Sequence, residues 1–166
     1  IRLDSAMEIG SLAWWEMDLP DGSVRFDPRK ASMIGFAPEK FRHYSDFTKL
    51  VHPEDYENVM QAMRNHLEGR DMRYHADYRI QTAAGDYHWF RDIGGITTRH
   101  SDGSAATVTG IVIDITESKN TKDALDASEI RFHALIQNSS DIIRILDPKG
   151  TIIYESPSAD RILGYP

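Results

Sequence analysis

Alternating hydrophobic and polar positions predict a β-hairpin near the start of the chain. In residues 12–19 (Leu-Ala-Trp-Trp-Glu-Met-Asp-Leu) the apolar side chains fall mainly on one face, opposite Glu16 and Asp18. This alternation is typical of a half-buried strand. The Pro-Asp-Gly sequence at 20–22 favours a turn, so residues 23–27 are predicted to return as a second strand.

The longest apolar stripe at helical spacing lies in residues 53–68. Pro53 occupies the first helical position, and acidic residues follow it in the first turn, where the helix dipole favours them. The apolar side chains recur three or four residues apart along one face: Tyr56, Val59, Met60, Met63 and Leu67. We expect this helix to bury that face. Shorter helices are predicted at residues 27–34 and 45–50.

After residue 72 the hydrophobic period changes from that of a helix to two. Strands are predicted at residues 72–81, 87–98 and 107–115, and turns that contain glycine separate them. Such strands form an antiparallel meander, and the first hairpin must pack beside it to complete a sheet of about five strands. Residues 117–137 contain no proline or glycine and are predicted to be helical.

The end of the chain repeats the pattern of its beginning. Residues 147–154 are similar to residues 20–26, and residues 162–166 are similar to residues 33–38. The architecture therefore starts again near residue 138. A segment of roughly 30 residues is too short to bury a core of its own, so we expect a truncated second copy.

Composition and charge exclude several classes of function. The 166 residues carry a net charge of −7, which has the wrong sign for binding a phosphate backbone. No apolar stretch approaches the ~18 residues of a membrane span, so no membrane insertion is expected. The absence of cysteine excludes disulfides, thiolate metal ligands and a cysteinyl-flavin adduct. The chain begins without methionine and stops within the repeat, so we interpret it as a soluble, cytoplasmic fragment of a longer protein.

Several short motifs follow one another in a recognisable order. They are residues 15–18 (Trp-Glu-Met-Asp), 33–36 (Met-Ile-Gly-Phe), 51–55 (Val-His-Pro-Glu-Asp), 77–80 (Asp-Tyr-Arg-Ile), 87–91 (Tyr-His-Trp-Phe-Arg) and 110–117 (Gly-Ile-Val-Ile-Asp-Ile-Thr-Glu). In this order they resemble the PAS domain, a sensor module of bacterial and archaeal signalling proteins. The resemblance implies an α+β fold, in which a five-stranded antiparallel sheet carries helices on one face, encloses a pocket and continues into a signalling helix.

The resemblance also implies an organisation for the whole chain. Residues 1–9 form an N-terminal helical flank, residues 10–117 the PAS domain, and residues 118–137 a linker or signalling helix. Residues 138–166 are then the truncated start of a second PAS domain.

Side chains from the first strand, the long helix and the sheet are expected to line the pocket. The candidates are Trp15, Met17, Met60, Met63, Tyr78, Ile80, Ile111 and Ile113. Methionine adapts equally well to a ligand and to an irregular core. A small apolar or amphipathic metabolite and a filled core without ligand therefore both stay open.

The resemblance makes haem and flavin candidate cofactors. Some members of the family hold haem through a histidine of the long helix, and His66 could reach the pocket from there. The alternative is a partly exposed histidine near the helix end, which suits the helix dipole. Trp14, Trp15 and Trp89 could stack on a flavin, although aromatic residues of strands usually belong to the core. We expect a small molecule or no ligand rather than either cofactor.

No sequence motif supports catalysis or a metal site. The chain lacks Gly-x-Ser-x-Gly, His-Glu-x-x-His and a P-loop. His52, Glu54 and Asp55 are sufficiently explained as the start of a helix. We therefore predict no catalytic residue, no metal and no enzymatic activity for this chain.

Asp114, Thr116 and Glu117 join the last strand of the sheet to the outgoing helix. Thr116 suits the N-cap position, so a change at the end of the strand would alter how the helix begins. The resemblance implies that the signal leaves the domain at this junction. A weak seam (Leu125, Ser128, Phe132 and Leu135) is compatible with a two-stranded coiled coil. A plain connecting helix that docks on its own domain is an equally open alternative.

The predicted function is a sensor and dimerisation module of a multidomain signalling protein. A ligand or partner would bias its conformation, and the helix would pass that bias to a histidine kinase or diguanylate cyclase domain of the parent chain. A homodimer would form through the flanking helices. The alternatives are a haem- or flavin-binding gas or redox sensor and a ligand-free interaction scaffold.

Overall fold

The computed structural model describes residues 2–138 and 142–164. They belong to two compact units, which comprise residues 1–117 and 118–166. The expected start of the second copy falls partly on residues 139–141, and its last motif ends at residues 165–166. Those positions and residue 1 lie outside the described residues.

In the first unit a helix, a β-hairpin and three further helices precede three long strands. Its helices are α1 (Arg2–Ile9), α2 (Arg29–Ser32), α3 (Tyr44–Thr48) and α4 (Pro53–Leu67), with a 3-10 turn at Pro38–Lys40. Its strands are β1 (Leu12–Asp18), β2 (Val24–Phe26), β3 (Tyr74–Gln81), β4 (Tyr87–Arg99) and β5 (Ala105–Asp114). The helix α5 (Thr116–Asn138) begins directly after β5.

The sheet of the first unit has five antiparallel strands in the order β2-β1-β5-β4-β3. The predicted meander and the hairpin beside it are therefore confirmed. β1 pairs with β5, which places Trp15 opposite Gly110, and Gly110 in turn lies opposite Gly94 of β4. Helix α4 packs against β3, and α2 packs against β1. The α+β fold follows from this arrangement.

The inward side chains of β1 and β3 are those that the alternation predicts. Ala13, Trp15 and Met17 are buried, and so are Tyr74, Ala76, Tyr78 and Ile80. Phe90 and Asp92 occupy the corresponding inward positions of β4. Together with the apolar side chains of the helices, these residues form one hydrophobic core.

The prediction that Ile111 and Ile113 of β5 face the pocket is wrong. Val108 and Val112 are buried, whereas Ile111 is 38% exposed and Ile113 is half-buried. Ile111 lies beside Trp14 and Ile93 on the other face of the sheet. The sequence does not reveal this phase, because Ile111, Val112 and Ile113 are three consecutive apolar residues.

Two further side chains are exposed although the pattern placed them on buried faces. Tyr56 is 42% exposed and Met72 is 98% exposed. Met72 precedes the first residue of β3, which is Tyr74. At the start of α4, Asp55 points towards β3 and bonds to Arg79. Tyr56 follows one residue later, and a rotation of about 100° per helical residue turns it away.

The second unit contains most of α5, a hairpin of β6 (Arg144–Leu146) with β7 (Ile152–Glu155), and α6 (Ser158–Leu163). The order of hairpin and short helix is the same as that of β1, β2 and α2. Several apolar side chains of α5 are exposed, including Leu125, Ile130, Phe132 and Leu135. Within the described ranges, none of the helices combines the length and apolarity needed to cross a bilayer.

Candidate functional site

A cavity of about 290 Å³ lies between the sheet and the helices of the first unit. Five of the eight predicted pocket residues line it: Trp15, Met17, Met60, Met63 and Tyr78. The other three do not. Ile80 is fully buried in the core, where its backbone is bridged to Val51, and Ile111 and Ile113 belong to the opposite face of β5. The volume is at the small end of the range of about 300–1,000 Å³ that is typical of ligand pockets.

The indole of Trp15 lies flat against the sheet because two glycines leave room for it. A Cβ atom on Gly110 would come within 2.5 Å of Trp15 Cζ2, and one on Gly94 within 2.9 Å of Cη2. The edge of the Tyr74 ring contacts the indole, with ring centroids 5.9 Å apart. The Nε1 atom of Trp15 is buried and has no hydrogen-bond partner among the described residues.

A carboxylate occupies the inward face of β4. Asp92 is only 6% exposed and follows Phe90 at the strand period of two. Its Oδ2 atom accepts a hydrogen bond of 2.8 Å from the hydroxyl of Tyr78. Its Oδ1 atom is buried and lacks a partner in the part of the chain that the structure describes.

Burial and the nearby Asp92 carboxylate raise the pKa of both Tyr74 and Tyr78 well above the usual value. Both phenols therefore keep their protons at neutral pH. Each can donate a hydrogen bond inside the cavity.

A lysine extends into the same cavity from the helical layer. Lys30 of α2 is 6% exposed, and its Nζ atom lies 4.5 Å from the ring centroid of Phe47 and 5.4 Å from that of Trp15. Burial lowers the pKa of Lys30, and the attraction of Asp92 partly offsets this effect. The cavity thus contains one buried basic group and one buried acidic group, both withdrawn from water. Arg64 also lines it, but its side chain is half-exposed and paired with Glu57.

Sequence analysis missed Lys30, Tyr74 and Asp92 as cavity residues. A signal for Asp92 was present, because it stands in phase with Phe90 on a strand whose inward positions are otherwise apolar or glycine. Lys30 has a similar signal, since it precedes Ile34 by four residues and therefore shares a helix face with an apolar side chain. A charged residue in phase with an apolar face indicates either a buried partner or a ligand.

His66 does not line the cavity, so the possibility that it reaches the pocket as a haem ligand is wrong. The alternative of a partly exposed histidine is wrong as well, because His66 is buried. Its imidazole is buried between α4 and β4, where Nε2 accepts a hydrogen bond of 3.2 Å from the backbone N–H of Ile96. Nδ1 lies 3.0 Å from the carbonyl oxygen of Asp71, to which it donates. Both ring nitrogens are therefore engaged by the backbone, and His66 offers no free nitrogen to a haem iron.

Only one of the three tryptophans considered for flavin stacking lines the cavity. That residue is Trp15. Trp14 lies half-exposed on the opposite face of the sheet. Trp89 stacks instead under the guanidinium of Arg79, which is 5.5 Å from its ring centroid.

The junction between β5 and α5 is tied to the beginning of β4. Asp114 Oδ1 accepts a hydrogen bond of 2.9 Å from the N–H of Thr116, while Oδ2 lies 3.1 Å from His88 Nδ1. The hydroxyl oxygen of Thr116 accepts a bond of 2.9 Å from the N–H of Trp89. The predicted N-cap role of Thr116 is therefore wrong, because this residue is the first of α5 and its side chain bonds to a strand.

Glu117, the third predicted residue of the junction, is exposed in the first turn of α5. A carboxylate at this position interacts favourably with the dipole of the helix. Its contribution is therefore electrostatic, whereas Asp114 and Thr116 form the hydrogen bonds that hold the junction.

The acidic start of α4 is a structural brace. Asp55 accepts hydrogen bonds from the backbone N–H and the guanidinium of Arg79, each 2.8 or 2.9 Å long. These bonds, chiefly those from the Arg79 side chain, lower the pKa of Asp55. Glu54 accepts a further bond from the same guanidinium. The brace joins α4 to β3 and holds the methionines of the helix over the cavity.

Known proteins resemble this chain in sequence and in fold. The family model described as PAS fold matches residues 23–112. The crystal structure of a sensory box histidine kinase/response regulator from Burkholderia thailandensis superposes with a TM-score of 0.67 and is 28% identical, covering 81% of this chain and all (100%) of that one. The N-terminal domain of a diguanylate cyclase with PAS/PAC sensor from Marinobacter aquaeolei shares the fold with a TM-score of 0.59 and 23% identity, covering 65% of this chain and 98% of that one.

Two curated proteins match over almost the whole chain. Sensor protein FixL of Bradyrhizobium diazoefficiens is 24% identical over 151 residues, which are 91% of this chain and 30% of that protein. The probable diguanylate cyclase DgcE of Escherichia coli is 24% identical over 166 residues, which are 99% of this chain and 15% of that protein. The chain thus spans less than a third of the length of either relative.

Proposed function

The chain belongs to the PAS fold family, and from this premise we propose that its first unit senses a small molecule in the cavity beneath α4. The observation that carries the proposal is a pair of buried polar atoms, Asp92 Oδ1 and Trp15 Nε1, that have no hydrogen-bond partner in the described part of the chain. Leaving such an atom unsatisfied costs about 1–3 kcal/mol. A ligand that bonds to both atoms recovers this free energy, which a filled core could not do.

We propose that ligand binding in the cavity is transmitted along β4 to the junction between β5 and α5. Asp92 lies three residues from Trp89, a distance of about 10 Å along a strand. Trp89 and its neighbour His88 hold Thr116 and Asp114, respectively. A shift of β4 on ligand binding would therefore change the bonds at the first turn of α5.

We further propose that α5 carries this change to an output domain of a longer parent protein. The similarity to sensor proteins and diguanylate cyclases supports a histidine kinase or a cyclase as that domain. The exposed apolar side chains of α5 support a homodimer through this helix. The chain itself has no proposed catalytic role. Residues 138–166 are proposed to begin a second PAS domain, because they repeat the order of hairpin and short helix.

The ligand-sensing role is tested on the purified 166-residue chain. We expect native mass spectrometry to detect a non-covalently bound small molecule and a metabolite library to contain compounds that raise the melting temperature. A visible absorption band would instead identify a haem or flavin sensor. A chain that binds nothing in either assay would be an interaction scaffold, and the proposed function would be wrong.

A further inference from the structure

The cavity contains opposite charges that come from different layers of the fold. Asp92 projects from the sheet and Lys30 from α2, and both line the same space. Each is more than nine-tenths buried. A buried charge without a full set of partners costs several kcal/mol, so an occupant that pairs with both groups is strongly favoured.

The cavity presents donors that need an acceptor and an acceptor that needs a donor. The ammonium of Lys30 lies near the Trp15 indole, whose Nε1–H has no hydrogen-bond partner among the described residues. These donors require an acceptor. Asp92 Oδ1 is an acceptor that lacks a donor among the described side chains and backbone groups. It therefore requires a donor.

The net charge of the occupant follows from the same pair. A monoanion bound at Lys30 would be repelled by the Asp92 carboxylate, and a monocation at Asp92 would be repelled by Lys30. A molecule with separated opposite charges gains at both ends and leaves neither group unpaired. Its remaining atoms should be largely apolar, because Met17, Val59, Met60, Met63 and Leu67 form much of the surrounding wall, beside the polar Tyr44, Thr48 and Arg64.

We propose that the cavity binds a small zwitterion of the amino-acid type with an apolar side chain. Its carboxylate would accept from Lys30 and Trp15, and its ammonium group would donate to Asp92 Oδ1. This proposal rests on the proposed sensing function and adds the chemical class of the ligand to it. The modest volume of about 290 Å³ suits a molecule of this size.

The test is isothermal titration calorimetry with the full chain after exhaustive dialysis. The probes are L-valine, L-leucine, L-isoleucine, L-methionine and L-phenylalanine. Two analogues of leucine serve as matched controls: 4-methylpentanoate, which lacks the amine, and 3-methylbutylamine, which lacks the carboxylate. We expect at least one amino acid to bind and the corresponding analogues to bind at least about tenfold more weakly.

Two variants test whether Lys30 and Asp92 bind the charged groups of the ligand. Lys30→Met and Asp92→Asn are each expected to weaken the best amino acid at least about tenfold. The exposed residues Lys49 and Asp18 provide the controls Lys49→Met and Asp18→Asn, which should leave affinity unchanged. Circular dichroism shows whether each variant is folded, and the comparison of probes on the unaltered chain stands even if one variant is not.

The outcomes separate this proposal from the sensing function. If 4-methylpentanoate or 3-methylbutylamine binds as tightly as leucine, the zwitterion class is wrong while sensing stands. The same conclusion follows if all five amino acids fail and native mass spectrometry finds a bound molecule of another class. If no small molecule binds in any assay, the sensing function is wrong as well.

Discussion

Trp15 and Gly110 are directly opposite each other in the β1–β5 pair, and the indole fills the space that a side chain on Gly110 would need. The glycine thus determines where the tryptophan lies. Trp15 lines the cavity, and its Nε1–H donor finds no acceptor among the residues that the structure describes. The shape of the candidate site therefore depends on this close approach.

Replacing Gly110 by alanine is predicted to destabilise the domain. The new Cβ atom would meet the carbonyl oxygen of Ile93 and come within 2.5 Å of Trp15 Cζ2, so the strands or the indole must move. We expect the free energy of unfolding to fall by about 1–3 kcal/mol, measured by urea titration. Gly95→Ala is the control, since nothing lies within 4 Å of its Cβ position. Equal stability of both variants would contradict the close approach.

The brace between Asp55 and Arg79 is predicted to make stability depend on pH. Hydrogen bonds from Arg79 lower the pKa of Asp55 below its usual value of 3.8. The stabilisation is therefore complete above that unfolded value and is lost as pH falls through the lower folded value. Asp55→Asn should lower the free energy of unfolding at pH 7 by about 1–3 kcal/mol.

This difference between the unaltered chain and Asp55→Asn should shrink in acid. The measurement is urea unfolding of both proteins over a series of pH values down to the acid limit of folding. Glu57→Gln is the matched control, because the ion pair of Glu57 with Arg64 is exposed and contributes little. A difference that stays constant with pH would show that the Asp55 carboxylate is not the titrating group.

Removing both buried charges is predicted to stabilise the domain while it abolishes binding. The double variant Lys30→Met with Asp92→Asn no longer buries an ammonium and a carboxylate. Burying charges without a full set of partners is costly, so their replacement by apolar or neutral side chains should be stabilising by about 1–4 kcal/mol. We expect a higher melting temperature and no bound molecule in native mass spectrometry. A lower melting temperature with binding retained would show that the two charges serve the fold.

The imidazole of His66 is predicted to have a structural role. It joins the end of α4 to the backbone of β4 at Ile96. His66→Ala should lower the free energy of unfolding by about 1–3 kcal/mol, because it removes a buried side chain and its two hydrogen bonds to the backbone of Ile96 and Asp71. The exposed His100 provides the control His100→Ala. Added haemin should give the same absorption spectrum with the variant and the unaltered chain; a Soret band that requires His66 would contradict this account.

Much of the fold could be predicted from the sequence, because its strands and its main helix have clear periods. The predicted helix at 53–68 is observed at Pro53–Leu67, and the alternation of β3 correctly predicts Tyr74 and Tyr78 as inward residues. The cavity was predicted only in part. Its apolar wall follows from periodicity, but the charged groups break the hydrophobic pattern that sequence analysis relies on.

The remaining errors have a common physical origin in long-range contacts. β5 turns inward the face that carries Gly110, because Gly110 and Gly94 leave room for the Trp15 indole. Trp15 and Gly110 are almost a hundred positions apart in the sequence. The hydroxyl of Thr116 bonds to Trp89 of another strand instead of to its own helix. No local pattern encodes either partner, so both became visible only in the folded chain.

Hydrogen exchange at the junction tests most directly whether the cavity communicates with α5. The measurement is NMR-detected amide exchange of Trp89 and Thr116 in the full chain, with and without the tightest-binding small molecule. Because both amides donate at this junction, we predict that ligand changes their protection and that Asp92→Asn abolishes the change. Unchanged protection at both amides in the fully ligand-bound chain would contradict the account.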